Sequence, residues 1–293
     1  MTGPSRIGVV GLGNMGWEVA DCFAHEGHSL LVHDARPEVE ARFINQHSDV
    51  SSLTDRWEEI DALVLVLPNS DIVDAVVGDV VERLRPRALV IDMSSSDPVR
   101  TRSLSEQVMA TGRRFVDAPV SGGVAGARAR RLAILIGGQP DDVAETTSLV
   151  APLAKSVIHV GEVGAGHAAK ALNNLVSAGA LSLTVEALHA AASFGVDRER
   201  MLEVLNSSSG RTNTSENKVA QFMFSGSFGS GFSQHLMAKD VAIGGGLVRK
   251  LNLPITISER VEEQWAASAT QLDPGADHTE MYRMLSAASE SEG

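Results

Sequence analysis

A glycine-rich segment near the start of the chain has the residue types and the spacing of a dinucleotide-binding loop. It reads Gly11-Leu12-Gly13-Asn14-Met15-Gly16, and it follows a short apolar run and opens a helical pattern. At such a junction the glycines permit a tight turn, a close backbone approach to a pyrophosphate, and close packing of helix on strand. The helix N-terminus then faces the anion. The strand, loop and helix in register favour dinucleotide binding over a purely structural turn.

An acidic residue at the end of the second predicted strand indicates which dinucleotide binds. Asp34 can accept both hydrogen bonds of an adenosine ribose, and its charge repels a 2′-phosphate. Arg36 lies two residues further on, where it can bind a 2′-phosphate or stack on the adenine. These residues predict NAD as the cofactor, with NADP as the alternative that Arg36 leaves open. An ordinary strand-end carboxylate is the alternative for Asp34.

Two further strand ends are expected to face the same cofactor. Leu67-Pro68 and Ser94-Ser95 each follow an apolar run. Ligands of doubly wound sheets bind outside the carboxyl ends of the strands, which predicts cofactor contacts from Leu67, Pro68 and Ser95. Taken alone, each of these residues marks only a loop.

A serine followed by two glycines is a candidate carboxylate site. Ser121-Gly122-Gly123 follows the strand that ends at Asp117, and its successive backbone N–H groups can bind an anionic group of a substrate. A simple turn is the alternative for this sequence.

Charged residues inside two apolar helical segments are candidates for proton transfer and substrate binding. Lys170 and Asn174 are four residues apart, so they share one helix face among Ala, Leu and Val. A buried lysine suits general acid and base chemistry, whereas a lysine that extends to water is the alternative. Lys239-Asp240 forms a second such pair, for which a solvated pair within the helix is the simpler interpretation.

The sequence gives no support for a metal centre or a nucleophilic cysteine. His25 and His28 are three residues apart across a glycine, which does not place them on one helical face. Cys22 lies in an apolar helical segment and is interpreted as a small core residue. Arg128, Arg130 and Arg131 are interpreted as a solvated turn, with attraction of an anionic substrate as the alternative.

The elements that position these residues alternate in the first half of the chain and are helical in the second. Continuous apolar runs separated by helical stretches predict a doubly wound, mostly parallel sheet with helices on both faces. The predicted strands are Ile7–Val10, Leu30–His33, Ala62–Leu67, Ala88–Asp92, Phe115–Asp117, Ala133–Ile136 and Val157–Val160. The predicted later helices are Ala165–Phe194, Arg198–Leu205, Ser215–Phe224, His235–Leu251, Ile255–Ala269 and Thr279–Ala288. We place the domain boundary between residues 163 and 164, so that residues 1–163 form the cofactor domain and 164–293 an all-α domain.

Composition limits the partners of this 293-residue chain. A net charge of -12 and a pI near 5.2 disfavour binding to nucleic acid or to an anionic membrane surface, which leaves small molecules and protein partners. The most apolar stretch, Ala171–Val185, is bounded by Lys170 and Glu186 and is too short to span a bilayer, which needs about 20 apolar residues, so it is interpreted as a buried helix. One cysteine and no basic-then-apolar leader predict a cytosolic protein.

Four motifs together resemble the signature of the β-hydroxyacid dehydrogenases, in particular the 3-hydroxyisobutyrate dehydrogenase branch. They are the segments at residues 11–16, 117–123 and 164–174 and the pair Lys239-Asp240, and they span almost the whole chain. The resemblance implies a Rossmann-like domain, a long interdomain helix and an all-α domain, assembled as a homodimer or homotetramer. It also implies that Lys170 is the catalytic acid/base, that Ser121, Gly122, Gly123 and Asn174 hold a small carboxylate substrate, and that Lys239 reaches the nicotinamide and the substrate.

The expected activity is NAD-dependent hydride transfer between a small 3-hydroxy acid and its semialdehyde or keto acid. An imine reductase on the same scaffold and a non-catalytic NAD-binding protein are the alternatives, and the presence of Lys170 argues against the first. The sequence departs from the family pattern at Asn213, where valine-catabolic members usually have an aromatic residue after Ser-Ser-Gly-Arg. Ser95 stands where threonine is common, and Arg130 and Arg131 replace smaller residues. Asn213 therefore predicts a different or more polar substrate.

Overall fold

The computed structural model describes residues 6–253, 256–273 and 275–290, without the side chains of 286–290. The chain forms two compact units, Met1–Lys170 and Ala171–Gly293. The division falls within the helix that begins directly after the boundary predicted from the sequence. That boundary, between residues 163 and 164, stays a prediction.

A nine-stranded, mostly parallel sheet forms the centre of the first unit, which confirms the predicted Rossmann-like fold. Its strands are β1 Arg6–Val10, β2 Ser29–His33, β3 Val50–Ser52, β4 Ala62–Leu65, β5 Leu89–Asp92, β6 Arg114–Asp117, β7 Val120–Ser121, β8 Leu132–Gly137 and β9 Ala154–Gly161. The strand order is β3-β2-β1-β4-β5-β6-β8-β7, and β9 pairs with β8. Among the described strand pairs, the antiparallel ones are β8 with β6 and β8 with β7. The chain reverses its direction of travel between β1 and β4, where doubly wound sheets bind their ligands.

Six helices cover the two faces of this sheet because alternate strand residues point to opposite sides. They are α1 Asn14–His25, α2 Pro37–Gln46, α3 Ser70–Val80, α4 Pro98–Ala110, α5 Gly123–Arg128 and α6 Pro140–Val150. Val9 packs in one core with Phe23 of α1, whereas Leu63 packs in the other with Val77 of α3. The sheet is thus buried on both sides, which explains its continuous apolar strands.

Two short strands and several strand ends differ from the sequence prediction. The strands β3 and β7 are missing from the prediction because runs of three and two residues are too short to show a periodic pattern. The strand predicted at residues 157–160 extends over the eight residues of β9. The side chains of β9 are partly or fully exposed, so the strand contains polar residues. These residues interrupt the apolar run from which a strand is predicted, and the prediction was therefore too short. Conversely, β4 ends at Leu65, and Val66 and Leu67 belong to the following loop.

The second unit is helical in the part of the chain that the structure describes. Its helices are α7 Ala165–Phe194, which begins in the first unit, α8 Arg198–Ser207, α9 Asn213–Asn217, α10 Gln234–Lys250, α11 Ile257–Gln271 and α12 Met281–Glu290. The helix predicted at 215–224 is divided into α9 and a π-helix, Val219–Phe224. The predicted start at Ile255 lies outside the described residues. A 3₁₀ turn, His278–Glu280, precedes α12, so the predicted last helix begins two residues later than expected.

Helix α7 is buried on one side only, which corrects the prediction of a buried helix. Leu181 and Val185 are fully buried in the core of the helical unit with Trp265. Val176 and Leu183 on other faces are 72% and 65% exposed. Of the described helices, α7 alone is long and apolar enough to cross a membrane, so the expectation that its apolar stretch is too short was wrong. The criterion rests on length and composition only, and core helices also meet it.

Three consecutive glycines in α10 allow close packing within the helical unit. A Cβ atom at Gly244 would lie 2.9 Å from the carbonyl oxygen of Ala171 in α7. A Cβ atom at Gly245 would overlap the carboxylate of Glu262 in α11, whereas one at Gly246 would face mostly open space. Glycine is therefore required at Gly244, where the backbone of α7 approaches, whereas at Gly245 the flexible side chain of Glu262 would have to move.

Candidate active site

The glycine-rich loop has the geometry that a pyrophosphate requires. Gly11 has a φ of 96°, and a side chain there would overlap the Val66 carbonyl. A side chain at Gly16 would overlap the Gly11 carbonyl, so this glycine permits the tight loop. Gly13, the N-cap of α1, has no side-chain cap, and a Cβ atom there would meet no heavy atom within 4 Å. The approach to the N-terminus of α1 is therefore open, which fits a bound dinucleotide phosphate.

Asp34 is held in place by the residues around it. It is 7% exposed, and its Oδ2 accepts a hydrogen bond from the backbone N–H of Leu12 at 2.7 Å. Its Oδ1 accepts from the backbone N–H and from Nε of Arg36, at 2.9 and 3.1 Å. Burial acts to raise the pKa of Asp34, but the hydrogen bonds from Arg36 and Leu12 outweigh it and lower the pKa. The carboxylate stays ionised and retains lone pairs for ribose hydroxyls.

The loops after β4 and β5 are joined by hydrogen bonds at the carboxyl edge of the sheet. The backbone N–H of Leu67 donates to Oγ of Ser94 at 2.9 Å. The carboxylate of Asp92, at the end of β5, accepts from the backbone N–H of Ser94 and from Oγ of Ser96, both at 2.9 Å. Asp92 is 1% exposed, so its role is to shape this loop.

The predicted cofactor residues of these loops lie at one edge of the sheet. The strands β1, β2, β4 and β5 are parallel, so the loop at 11–16, Asp34, Leu67-Pro68 and Ser95 all follow strand ends on the same side. Pro68 is exposed and Ser95 is half-buried, so both are accessible at this edge. Their contacts with a cofactor stay predictions.

A buried aspartate and histidine anchor the start of α7 to the same edge. The carboxylate of Asp117, at the end of β6, accepts hydrogen bonds from the backbone N–H groups of Gly164 and His167, at 2.6 and 2.7 Å. The Nε2–H of His167 donates to the Ser94 carbonyl at 3.0 Å, and Nδ1 lies 2.8 Å from Oγ1 of Thr101. Burial raises the pKa of Asp117 above its ordinary value, with the nearby His167 acting in the opposite direction.

Lys170 follows this anchored start by one helical turn. It is 8% exposed and belongs to the first unit. Because Asp117 and His167 fix the first turn of α7, they also fix the direction in which Lys170 leaves the helix. A buried amine in a fixed position can take or give a proton at a reacting oxygen.

The Ser121-Gly122-Gly123 segment joins β7 to α5 through left-handed backbone. Ser121 pairs with Ala133 of β8, and Gly122 is the N-cap of α5 with a φ of 130°. Gly123 has a φ of 63°. A Cβ atom at Gly122 would come within 3.2 Å of Cδ2 of Leu132. Only glycine adopts this backbone readily, so the conformation of the candidate carboxylate site depends on Gly122.

In the second unit, one aspartate orients the other two predicted substrate residues. Nδ2 of Asn174 donates to Oδ2 of Asp240 at 2.6 Å, and Nζ of Lys239 lies 3.2 Å from Oδ1 of the same carboxylate. Asp240 is 3% exposed. The structure thus brings Asn174 and Lys239 to one carboxylate, although the roles of both residues toward a ligand stay predictions.

The positioning roles of four residues are not predicted from the sequence, namely those of Asp92, Asp117, His167 and Asp240. A partial signal was present, because Asp92 and Asp117 each end an apolar strand with a charged side chain, an unusual choice for a buried position. No sequence signal connects Asp117 with the backbone of His167, since that contact depends on how β6 and α7 meet. The role of Asp240 likewise depends on the packing of α10 against α7.

Comparisons with known protein families match both parts of the chain. Residues 6–161 match the family described as the NAD binding domain of 6-phosphogluconate dehydrogenase. Residues 164–285 match the family described as NAD-binding of NADP-dependent 3-hydroxyisobutyrate dehydrogenase.

Similar proteins include dehydrogenases of related hydroxy acids. The chain is 32% identical to the mitochondrial 3-hydroxyisobutyrate dehydrogenase of Rattus norvegicus, over 97% of this chain and 88% of the relative. It is 30% identical to the 2-(hydroxymethyl)glutarate dehydrogenase of Eubacterium barkeri, over 92% of this chain and 88% of the relative.

Solved structures extend the comparison. The Mycobacterium tuberculosis 3-hydroxyisobutyrate dehydrogenase, solved with L-serine, has a TM-score of 0.89 and 26% identity and covers 96% of this chain and 99% of its own. Two others share the fold alone. A protein named Psf3, in complex with NADP+, has a TM-score of 0.80 and 23% identity, covering 95% of this chain and 99% of its own. A Myxococcus stipitatus imine reductase variant has a TM-score of 0.66 and 17% identity, covering 97% and 100%.

Proposed function

Because this chain belongs to the β-hydroxyacid dehydrogenase family, we propose that it interconverts a small 3-hydroxy acid and the corresponding semialdehyde or keto acid with NAD as cofactor. The observation that carries the proposal is the position of Lys170. It is a buried lysine on a helix whose first turn is anchored to the cofactor edge of the sheet by Asp117. An imine reductase or a binding protein has no evident need for an amine there.

Each group in the proposed reaction has one task. A dinucleotide held by the loop of residues 11–16 and by Asp34 would supply the hydride acceptor for oxidation and the hydride donor for reduction. The neutral amine of Lys170 takes the hydroxyl proton in oxidation, and its ammonium returns the proton in reduction. The backbone N–H groups of Ser121, Gly122 and Gly123 hold the substrate carboxylate and thereby orient the carbinol carbon. Asn174 and Lys239, oriented by Asp240, are the remaining proposed substrate contacts.

The substrate class is tested by a panel of short hydroxy acids. Asn213, at the start of α9, favours a more polar substrate than 3-hydroxyisobutyrate. The panel should therefore include 3-hydroxyisobutyrate, 2-(hydroxymethyl)glutarate and L-serine, which is itself a 3-hydroxy acid and accompanies the Mycobacterium tuberculosis relative. Formation of NADH is measured by absorbance, and we expect turnover of at least one member. Reduction of a cyclic imine without oxidation of any hydroxy acid would favour imine reductase, and cofactor binding without any turnover would favour a non-catalytic protein.

We also propose that NAD is preferred over NADP. An acidic residue at the end of the second strand of such a fold repels a ribose 2′-phosphate, and the ion pair of Asp34 with Arg36 engages the cation that could bind that phosphate. Asp34→Asn should lower the ratio of kcat/KM for NAD to that for NADP by about tenfold. Arg36→Ala is the matched control, and we expect it to leave the preference for NAD in place. A wild-type preference for NADPH would contradict this assignment.

We further propose a cytosolic homodimer or homotetramer that binds neither nucleic acid nor membranes. Val176 and Leu183 expose apolar surface on α7 beside a cavity of about 590 Å³ that Ile257 also lines. A single subunit rarely leaves such a surface in water. The net charge of -12 supports the absence of nucleic-acid binding. Light scattering after gel filtration tests the assembly, and Val176→Glu with Leu183→Glu should shift it towards the monomer. Cell fractionation tests the location.

A further inference from the structure

Two histidines and an aspartate from different helices meet on the surface of the first unit, away from the cofactor edge. Asp21 and His25 lie one turn apart on α1, and His47 is the C-cap of α2. One ring nitrogen of each histidine and a carboxylate oxygen of Asp21 all lie within 4.8 Å of one another. His28, which is near His25 in the sequence, is not a member of this cluster, and its ring packs edge-on against Phe23.

The hydrogen bonds of His47 leave one of its nitrogens facing a carboxylate. Nδ1 lies 2.9 Å from the carbonyl oxygen of Phe43, which can only accept, so Nδ1 carries a proton. Nε2 lies 3.0 Å from Oδ1 of Asp21. Nε2 and this carboxylate oxygen are therefore close enough to bind one cation together.

The ring of His47 is oriented before any ion binds. It stacks on Phe43 with ring centroids 4.2 Å apart and planes 21° apart, and Phe43 is fully buried. The His47 side chain is 12% exposed, so the ring has little freedom to turn away. A backbone carbonyl that binds one imidazole nitrogen and directs the other toward a metal is the usual arrangement around protein metal ions.

The surroundings of the cluster are electrostatically suited to a cation. Asp21 supplies a formal negative charge, and the two helices α1 and α2 both end at the cluster. The C-terminus of a helix carries a partial negative charge, so both ends attract a cation. Glu26, the residue after His25, is paired with Arg130 at 2.7 Å, which partly offsets this attraction. His25 is 59% exposed on its side chain, so an ion can enter from solvent. Its Nδ1 lies 2.8 Å from the carbonyl oxygen of Asp21, so His25 would bind the ion through Nε2 or would first release this hydrogen bond.

We propose that Asp21, His25 and His47 bind a divalent transition-metal ion of the zinc class. Two imidazoles and one carboxylate form a common three-residue ligand set for such ions, with water as the fourth ligand. The ion would lie between His47 and Asp21 and would join the ends of α1 and α2. These helices flank β2, the strand that leads to Asp34, so the site would brace the part of the sheet that holds the adenosine residues. The proposal does not depend on the reaction assigned above.

Calorimetric titration of the tag-free, chelator-treated full chain with zinc chloride tests the site. We expect one equivalent to bind with a dissociation constant in the micromolar range or below, and we expect zinc to raise Tm. His47→Gln should weaken binding at least 100-fold and should remove the shift in Tm. Its circular dichroism spectrum establishes that it folds. Asp21→Asn is the second variant, because it keeps the size of the side chain and removes its charge.

His159→Gln is the matched control, since His159 lies on the exposed strand β9, outside the cluster. It should bind zinc as the wild type does. Cobalt(II), which shows the coordination number by its visible absorption, provides an independent probe, and we expect a spectrum of four-coordinate cobalt. Failure of the wild type to bind one equivalent of zinc would overturn the proposal, and so would binding that both cluster variants retain. Either result would assign the contact between His47 and Asp21 to an ordinary ion pair.

Discussion

Two buried aspartates, one in each unit, each anchor the start of a helical segment, but their surroundings differ. Asp117 is fully buried at the end of β6 and accepts two backbone hydrogen bonds at the start of α7. Burial has the largest effect on the carboxyl group of Asp117 and raises its pKa. Asp277 lies before the 3₁₀ turn that leads into α12, and it has more donors around it.

The donors around Asp277 reverse the direction of its pKa shift. The hydroxyls of Ser230 and Thr279 and the backbone N–H groups of Gly231 and Thr279 all donate to its carboxylate. Burial acts to raise the pKa of Asp277, but hydrogen bonds with His278, Thr279 and Ser230 outweigh it and hold the pKa well below its usual value. A buried carboxylate is therefore stabilised in its charged form only where enough donors replace water.

The two anchors should differ in function as well as in their titration. Asp117 fixes the helix that carries Lys170, whereas Asp277 ties together two chain segments of the helical unit by way of Ser230 and Thr279. Changes near the first should alter turnover, and changes at the second should alter stability alone. The following predictions test this distinction, from the largest expected effect to the smallest.

Lys170→Ala should have the largest effect on turnover. We expect kcat for the best hydroxy acid to fall by ~10² to 10⁴, the range for a lost general acid/base. The dissociation constant of the cofactor should remain nearly unchanged, because the glycine-rich loop and Asp34 are intact. Steady-state kinetics and NADH fluorescence titration measure the two quantities separately.

The pH profile and a second variant provide the controls for Lys170. The wild-type rate of oxidation should rise with pH, since only the neutral amine accepts a proton, and this dependence should vanish in Lys170→Ala. Lys170→Arg should not restore activity, because guanidinium keeps its proton. If Lys170→Ala kept a kcat near that of the wild type, the proposed mechanism would be wrong and Lys239 would be the next residue to test.

Gly122→Val should raise KM or abolish turnover while the cofactor still binds. The φ of 130° at Gly122 is outside the range of a β-branched residue, and the added side chain would also meet Leu132. We expect kcat/KM to fall by about 100-fold. Gly112→Val is a matched control, because Gly112 also has a positive φ, at 78°, but lies in the exposed turn between α4 and β6. Equal kinetic losses in both variants would indicate general destabilisation.

Asp277→Asn should lower the free energy of unfolding by about 2 kcal/mol at pH 7 without changing kcat, since it weakens several charge-assisted hydrogen bonds. The pKa of Asp277 is lower in the folded than in the unfolded chain. Its carboxylate therefore stabilises the protein above the unfolded value of 3.8, and this contribution is lost as the pH falls below it. Urea unfolding should show that the difference between the variant and the wild type narrows as the pH falls below 3.8.

Asp117→Asn should have the opposite pH dependence and a smaller kinetic effect than Lys170→Ala. The pKa of Asp117 is higher in the folded chain, so its contribution to stability is greatest at low pH and decreases as the pH rises from 3.8 through the folded pKa. The variant should therefore lose more stability at pH 4 than at pH 7. We expect kcat to fall by about tenfold, because the first turn of α7 no longer fixes Lys170. An unchanged kcat in a folded variant would separate Asp117 from the chemistry.

The sequence predicts the sheet and the glycine-rich loop well because both follow from local patterns. Val64 and its neighbours form a continuous apolar run since that strand is buried on both faces. The loop of residues 11–16 is recognisable because its glycines are required by turn geometry. The fold class and the family therefore follow from sequence alone.

The positioning contacts are not predictable in the same way, because they join residues far apart in the chain. The carboxylate of Asp117 meets the N–H of His167 across 50 residues, and Asn174 meets Asp240 across 66. The short strands β3 and β7 and the π-helix at 219–224 are also set by tertiary packing, which overrides weak local preferences. Residue types could thus be identified from the sequence, while the partners that hold them could not.

The glycine run of α10 also has a consequence for motion. Glycine in a helix interior is less favourable than alanine by roughly 0.5 to 1 kcal/mol per residue, so Gly244, Gly245 and Gly246 weaken α10 on its own. The contacts that their small size permits, with the Ala171 carbonyl and with Glu262, compensate only while the neighbouring helices are in place. We therefore expect amide hydrogens in this part of α10 to exchange with solvent sooner than those of Leu181 and Val185 in α7. The second half of α10 would then open before the buried part of α7.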